Sequence, residues 1–214
     1  MAARRSGQNY HHGDLRRALL DATLALVAEK GPEGFTLRAA AKLAGVSDAA
    51  PYHHFEDKEA LLAAVAEEGF RELHAELERA AAEHPASPRE RARAMGTAYV
   101  LFAATQPSHF RVMVSRTIAQ HARFASLAQS ATTAFQLVRD TLMSSLSSEE
   151  LGRAPADQLV YGAWALVHGL AFLAIDGLLG PTTREPESLR ALVDGVLSVF
   201  EAARTGNPPG AARP

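Results

Sequence analysis

Residues 36–55 read TLRAAAKLAGVSDAAPYHHF. Thr36 is an N-cap residue type, so a short helix is expected over 37–44. Gly45 then supplies the positive φ that a sharp exit requires. Ser47 is expected to cap a second helix over 48–55. Ala41 is small enough for the two helices to approach, and Val46 can fill the space between them. This is the grammar of a helix-turn-helix, whose second helix enters the DNA major groove. An ordinary helical hairpin has the same grammar.

Outward from this stretch the chain reads as helix throughout. Over 13–30, Leu15, Leu19, Ala22 and Leu26 form one apolar stripe, and Leu20, Leu24 and Val27 form another nearly opposite. Two stripes predict a helix sandwiched between partners. Gly31-Pro32-Glu33-Gly34 breaks it. A long helix is expected over 58–84, with Leu61, Leu62, Val65, Phe70, Leu73 and Leu77 inward, ending before Pro85 to Pro88. Further helices are expected over 88–105, 107–117, 121–147, 155–179 and 186–204. No strand signal or internal repeat is visible. The expected fold is all-α. A three-helix head over 10–58 precedes a helical domain over 59–204, with flexible tails at 1–9 and 205–214.

Hydrophobic residues make up 47% of the 214, enough for a sizeable core, and the net charge is −2. The charge is unevenly placed. Seven basic residues (Arg4, Arg5, Arg16, Arg17, Lys30, Arg38, Lys42) stand before Val46 against four acidic ones, so this end is positive and the remainder acidic. A local DNA-contacting face leaves such an asymmetry. Cysteine is absent, which rules out disulfides and thiolate metal sites and fits a cytoplasmic protein. No apolar run approaches the roughly 18 residues of a membrane span, and the polar, basic start lacks the apolar core of a secretory signal.

Residues 10–70 resemble the DNA-binding domain of the TetR/AcrR family. The resemblance is carried by Tyr10-His11-His12-Gly13-Asp14-Leu15, Gly31 with Phe35-Thr36-Leu37, Ala44-Gly45-Val46-Ser47, Tyr52 with Phe55, and Asp57-Lys58-Glu59 with Leu61-Leu62, in order and without gaps. It implies a homodimer that binds double-stranded operator DNA through its first three helices and an effector through the rest. Trp164 with His168-Gly169, and Ala50-Pro51-Tyr52, are similar to the Trp/His-Gly signature of one subgroup.

The chain departs from the commoner family pattern at Asp48-Ala49-Ala50-Pro51-Tyr52. Pro51 stands where an aliphatic core residue is usual, and it cannot donate a bond to the Ser47 carbonyl. The run from 47 to 55 holds no Lys or Arg, so the commonest contact to guanine is missing. The residues expected at DNA are Arg4, Arg5, Thr36, Arg38, Ser47, Asp48, Tyr52, His53 and Lys58. Thr36 and Ser47 are caps whose hydroxyls can also meet phosphate. Asp48 either complements the helix dipole or accepts from a base amino group. The resemblance gives Tyr52 a phosphate contact. His53 can touch phosphate or solvent. Lys58 opens a helix against its dipole, which a phosphate would reward. Arg4 and Arg5 either enter the minor groove or remain in solvent.

In the second half, Phe102, Phe110, Met113, Phe135, Trp164 and His168 are candidates to line a pocket for an unidentified, partly apolar effector. Trp164 and His168 share a helix face. Either both edge the pocket, or Trp164 is core and His168 fixes a neighbouring helix. Small residues over 155–179, with Leu189 to Phe200, are expected to form the dimer interface. No cofactor, no metal site and no catalytic triad or carboxylate pair is expected, and the chain does not read as an enzyme. The competing class is a helical small-molecule carrier without operator binding; an activator shares the grammar of a repressor.

Overall fold

The computed structural model of the chain describes residues 12–118 and 123–205. Arg4, Arg5, the expected tail 1–9 and residues 206–214 of the expected tail 205–214 lie outside the described residues, while Thr205 is the last residue of the final helix. Every regular element among those described is helical: α1 (His12–Lys30), α2 (Leu37–Leu43), α3 (Lys58–Ala82), α4 (Pro88–Thr105), α5 (Pro107–Met113), α6 (Ala125–Ser145), α7 (Ser148–Arg153), α8 (Ala156–Ile175) and α9 (Pro186–Thr205). Single 3₁₀ turns lie at Ala50–His53 and Pro181–Arg184.

The expected all-α order holds, with local corrections. The helix expected over 48–55 is only the 3₁₀ turn Ala50–His53. Pro51 has no N–H, so the bond that would open an α-helix on Ser47 is missing. The backbone closes i to i+3 instead, from Ala50 N to Ser47 O (3.0 Å) and from Tyr52 N to Ala49 O (3.2 Å). Ser47 accordingly does not cap; the turn starts at Ala49 without a side-chain cap. Helix α7 lies in the gap between the helices expected over 121–147 and 155–179, and forms on a capping box in which Ser147 and Glu150 bond reciprocally. Helix α8 is long and apolar enough to cross a membrane by length and composition, contrary to the run-length reading. His168, Gly162 and Gly169 interrupt its apolar run, yet its mean hydropathy stays high. One side of it packs on α4.

Helix α1 is sandwiched as its two stripes require. Leu19, Leu20, Leu26 and Val27 are buried in one cluster with Phe35, Leu37, Phe55, Leu61 and Leu62, and α1 meets α2, α3 and α5. Each fully buried Leu or Val there contributes about 1.5–3 kcal/mol. The exit of α2 is a Schellman motif. Gly45 has φ 72°, its N–H bonds Lys42 O (3.2 Å), and Val46 N–H bonds Ala41 O (3.0 Å). Thr36 caps the other end, its hydroxyl accepting from Ala39 N at 3.2 Å. Helix α3 continues from this head into the second domain and packs on α4, α5 and α6, while α4 also packs on α8 and α9.

Two glycines of the head act for different reasons, which substitution separates. Gly45 faces open space, so Gly45→Ala meets only the left-handed backbone penalty, about 1–2 kcal/mol. Gly45→Asn should recover part of it, because Asn tolerates that region. A Cβ on Gly34 would stand 2.2 Å from the Lys30 carbonyl oxygen, so backbone must move. Gly34→Ala should cost more, about 1–3 kcal/mol of overpacking, with no recovery by Asn. Urea unfolding of the four variants checks the ranking.

Candidate functional site

Two sites emerge, one in each domain. In the head, Thr36, Arg38, Ser47, Asp48, Tyr52 and His53 are all exposed within the helix-turn-helix. Tyr52 shows 57% of its surface, while its neighbour Pro51 is buried. Pro51 thus does the core work of an aliphatic residue and leaves the ring of Tyr52 outside. Arg38 and exposed Lys42 stand four apart on one face of α2; Lys42 was left out of the sequence-based site.

Lys58 is placed differently from its expectation. Its ammonium donates to the Glu33 carbonyl at 2.9 Å and lies 4.7 Å from the centre of the Phe35 ring. The helix dipole is therefore opposed at the gain of an internal hydrogen bond and a cation–π contact, and phosphate is not needed to explain the residue. Asp57 caps α3 through Ala60 N at 2.8 Å. Burial works against its ionisation, but that amide and Arg123, at 2.6 Å, outweigh burial and hold the carboxyl below its ordinary range.

In the second domain a cavity of about 440 Å³ lies among α3, α4, α5, α6, α8 and α9. Five of the six residues expected to line a pocket do so: Phe110, Met113, Phe135, Trp164 and His168. Phe102 does not; it is 4% exposed in the core and borders a separate surface cleft with Glu72 and Arg190. The sequence reading missed Tyr99 as a lining residue, along with Arg89, Arg93 and Arg204. Arg89 and Arg93 share a face of α4 by their i, i+4 spacing, and only the packing of α4 against α9 brings Arg204 to them.

One end of the cavity is aromatic. Tyr99 Oη lies 2.8 Å from His168 Nδ1, and the His168 ring centre lies 5.1–6.2 Å from those of Tyr99, Phe110, Trp164 and Phe172. Burial pushes the Tyr99 phenol well above its usual range, although a bond from Trp164 opposes this. Burial likewise lowers His168, so the ring is neutral near pH 7. With both groups neutral, the bond joins the phenol to Nδ1, and the imidazole tautomer sets which partner donates. His168 therefore both ties α8 to α4 and lines the cavity, so the two roles weighed for it meet in one side chain.

The other end is ionic. Glu150 is 1% exposed and holds Arg89 at 3.0 Å and Arg204 at 3.1 Å. Burial would raise its carboxyl, but the amide and hydroxyl of Ser147 and the two guanidiniums outweigh burial and lower it. Elsewhere, Glu68 and Glu72 of α3 meet His109 of α5, with ligand atoms within 4.8 Å of one another, a grouping no spacing in the sequence announces. Glu68 there is already bonded to Arg17 of α1 at 2.6 Å.

A helix-turn-helix head joined by one long helix to a cavity-bearing helical domain defines a DNA-binding transcriptional regulator. The description "Bacterial regulatory proteins, tetR family" matches residues 19–65, and "Tetracyclin repressor-like, C-terminal domain" matches 92–196. The chain is 32% identical over 190 residues to the HTH-type transcriptional regulator BetI of Brucella melitensis, covering 86% of this chain and 90% of that one. A solved protein of unknown function from Rhodococcus sp. RHA1 is 35% identical with a TM-score of 0.69, covering 89% of this chain and 97% of that one. A tetR-family regulatory protein from Rhodococcus RHA1, at 23% identity and a TM-score of 0.67, shares the fold over 86% of this chain and 94% of that one. This chain belongs to the TetR family of transcriptional regulators.

The Tyr99–His168 pair sets a pH dependence. A base whose folded pKa is depressed stabilises the fold above its unfolded value, near 6.5, and that contribution is lost as pH falls through the folded value. Wild-type stability should therefore drop more steeply than that of His168→Gln as pH falls below about 6.5. At pH 7.5, Tyr99→Phe should cost about 0.5–1.5 kcal/mol. Melting curves across pH read both effects.

Proposed function

We propose that the chain is a ligand-responsive repressor that binds a pseudo-palindromic operator as a homodimer, acting in the cytoplasm by binding and not by catalysis. The observation that carries the reading is the position of α5. It lends Phe110 and Met113 to the cavity and packs on α1 of the head. Occupancy of the cavity thereby bears on the element that supports the helix-turn-helix. His109 of α5 is buried 3.7 Å from Glu68, which also holds Arg17 of α1.

The dimer surface is supported by open space around small residues. A Cβ placed on Gly162, Gly169 or Gly195 would meet nothing within 4 Å in the same chain, so internal packing does not require glycine at any of them. On α8 these glycines run with exposed Tyr161, Ala165 and Leu173, and on α9 with Leu192 and Val199. A second α8–α9 pair seated there would bury both stripes and place two reading heads on one duplex. The face differs in part from expectation. Ala171, Leu189, Val193 and Leu197 turn inward, and Ala163 and Phe200 line the cavity. The Trp164 and His168-Gly169 pattern supports membership of the Trp/His-Gly subgroup, since the pair forms part of the cavity wall.

At DNA, Thr36, Arg38, Ser47, Asp48, Tyr52 and His53 are the contacts proposed, with Arg4 and Arg5, which precede the described residues in the sequence, and Lys58 in a second role beside its internal bonds. With no Lys or Arg from 47 to 55, affinity rests on backbone contacts and DNA shape more than on charged base readout.

Selection of bound sequences from random DNA, followed by reporter assays, tests the reading: deletion of the gene should raise transcription from the selected site. Gly169→Arg should give a monomer by sedimentation with unchanged helicity, and DNA affinity should collapse. A dimeric Gly169→Arg protein places the interface elsewhere. Arg38→Ala should weaken binding to all sequences and lower the salt slope by about 1, and Tyr52→Phe should cost about 0.5–1.5 kcal/mol of binding. Lys58→Ala should lower melting temperature as well as affinity; lost affinity at unchanged stability would show that Lys58 serves DNA alone.

A further inference from the structure

The cavity is polarised along α4. Arg89, Arg93, Gly96 and Tyr99 all line it from that helix. At about 1.5 Å per residue, Tyr99 lies about 9 Å beyond Arg93 and about 15 Å beyond Arg89. Arg204 of α9 joins the arginine end, and Trp164 and His168 of α8 join the aromatic end. The walls between are apolar, from Leu73, Leu77 and Met95 to Val138, Leu142 and Val167.

The guanidiniums are not saturated. Three line the cavity against one lining carboxylate, Glu201. Its oxygens stand 3.9 Å from Arg89 and 4.0 Å from Arg93, beyond hydrogen bonding. Glu150 lies behind the wall and takes one nitrogen each of Arg89 and Arg204. Arg93 has Asp194 at 3.3 Å, on the outer side where that carboxylate is half exposed. Arg204 Nε is buried with no hydrogen-bond partner. Each guanidinium carries five donors in a fork that matches a carboxylate, so donors remain unfilled at the wall of an apolar chamber.

We propose that the effector is an amphipathic carboxylate, its head at Arg93 and Arg204 and its apolar body reaching the Tyr99–Trp164–His168 end. This assignment rests on the effector reading given above and names the chemical class that the cavity takes. An extended chain advances about 1.2 Å per bond, so a span of about 9–15 Å corresponds to roughly 8–12 bonds. A carboxylate head would fill the open donors with charge-assisted bonds. An alcohol of equal length fills them with a neutral acceptor, and a quaternary ammonium opposes them.

Trp164 is the one tryptophan of the chain and lines the cavity, so its fluorescence reports occupancy directly. Decanoate, 1-decanol and decyltrimethylammonium are titrated into the full chain, alone and bound to a selected DNA fragment. Decanoate should bind roughly ten- to a hundred-fold more tightly than decanol, as expected for a hydrogen-bonded charge, with the ammonium weaker still. Arg93→Gln should bring decanoate and decanol within about three-fold of each other, and Arg93→Lys, which keeps the charge and loses the fork, should keep only part of the preference. Equal binding of acid and alcohol, tighter binding of the ammonium, no saturable binding, or a preference untouched in Arg93→Gln would each overturn the assignment. Decanoate binding as described but leaving the DNA complex intact would uphold the anion site and overturn the effector reading instead.

Discussion

Leu61, Leu62 and Val65 close the core beneath the helix-turn-helix, and Phe70, Leu73 and Leu77 on the same helix wall the cavity. Both sites therefore share one unbroken rod, α3, about 37 Å long at 1.5 Å per residue. A helix transmits position along its length because its backbone bonds resist bending. At Gly69, between the two halves, a Cβ would stand 2.6 Å from Met113 Sδ and 3.2 Å from His109 Cβ. The missing side chain is what lets α5 lie against α3, and α5 is also the element that meets α1.

Around this rod one buried apolar cluster runs from α1 of the head to α4, α5, α6 and α8 of the second domain, and ion pairs add to it at the surface. Arg17 of α1 bonds Asp21 on its own helix and Glu68 on α3. Arg123, just before α6, reaches Asp57 and Glu59 at the start of α3. Thr117 bonds Glu33 in the loop after α1. Exposed pairs of this kind contribute little stability singly. Their geometry instead ties the segment between α5 and α6 to the base of the head. Such contacts are cheap to remake in another arrangement, whereas a jammed apolar core has few alternatives.

The cavity shows the complementary economy. Its aromatic end is held by one neutral hydrogen bond between Tyr99 and His168, and its ionic end by a buried carboxylate under two arginines. The phenol and imidazole satisfy each other, as burial demands, whereas at the other end Arg204 Nε is buried with no hydrogen-bond partner.

The sequence by itself determined the helical class, the order of the long helices and the reading head. Those follow from local rules: apolar spacing on α1 and α3, the cap at Thr36 and the left-handed Gly45. Most of the aromatic candidates for the cavity were legible too, since large apolar residues in a helical bundle must face inward somewhere. Local rules also misled at Ser47 and over 48–55, where the absent N–H of Pro51 shortened the second helix to a 3₁₀ turn. Only the tertiary structure decided that Phe102 packs away from the cavity, that Lys58 turns to Glu33 and Phe35, and that α8 and α9 divide their small and apolar residues between core, cavity and an open face. It alone brought Arg204 to Arg89 and Arg93, because that meeting depends on how α4 and α9 pack, and packing between helices far apart in the chain leaves no period or motif in the sequence.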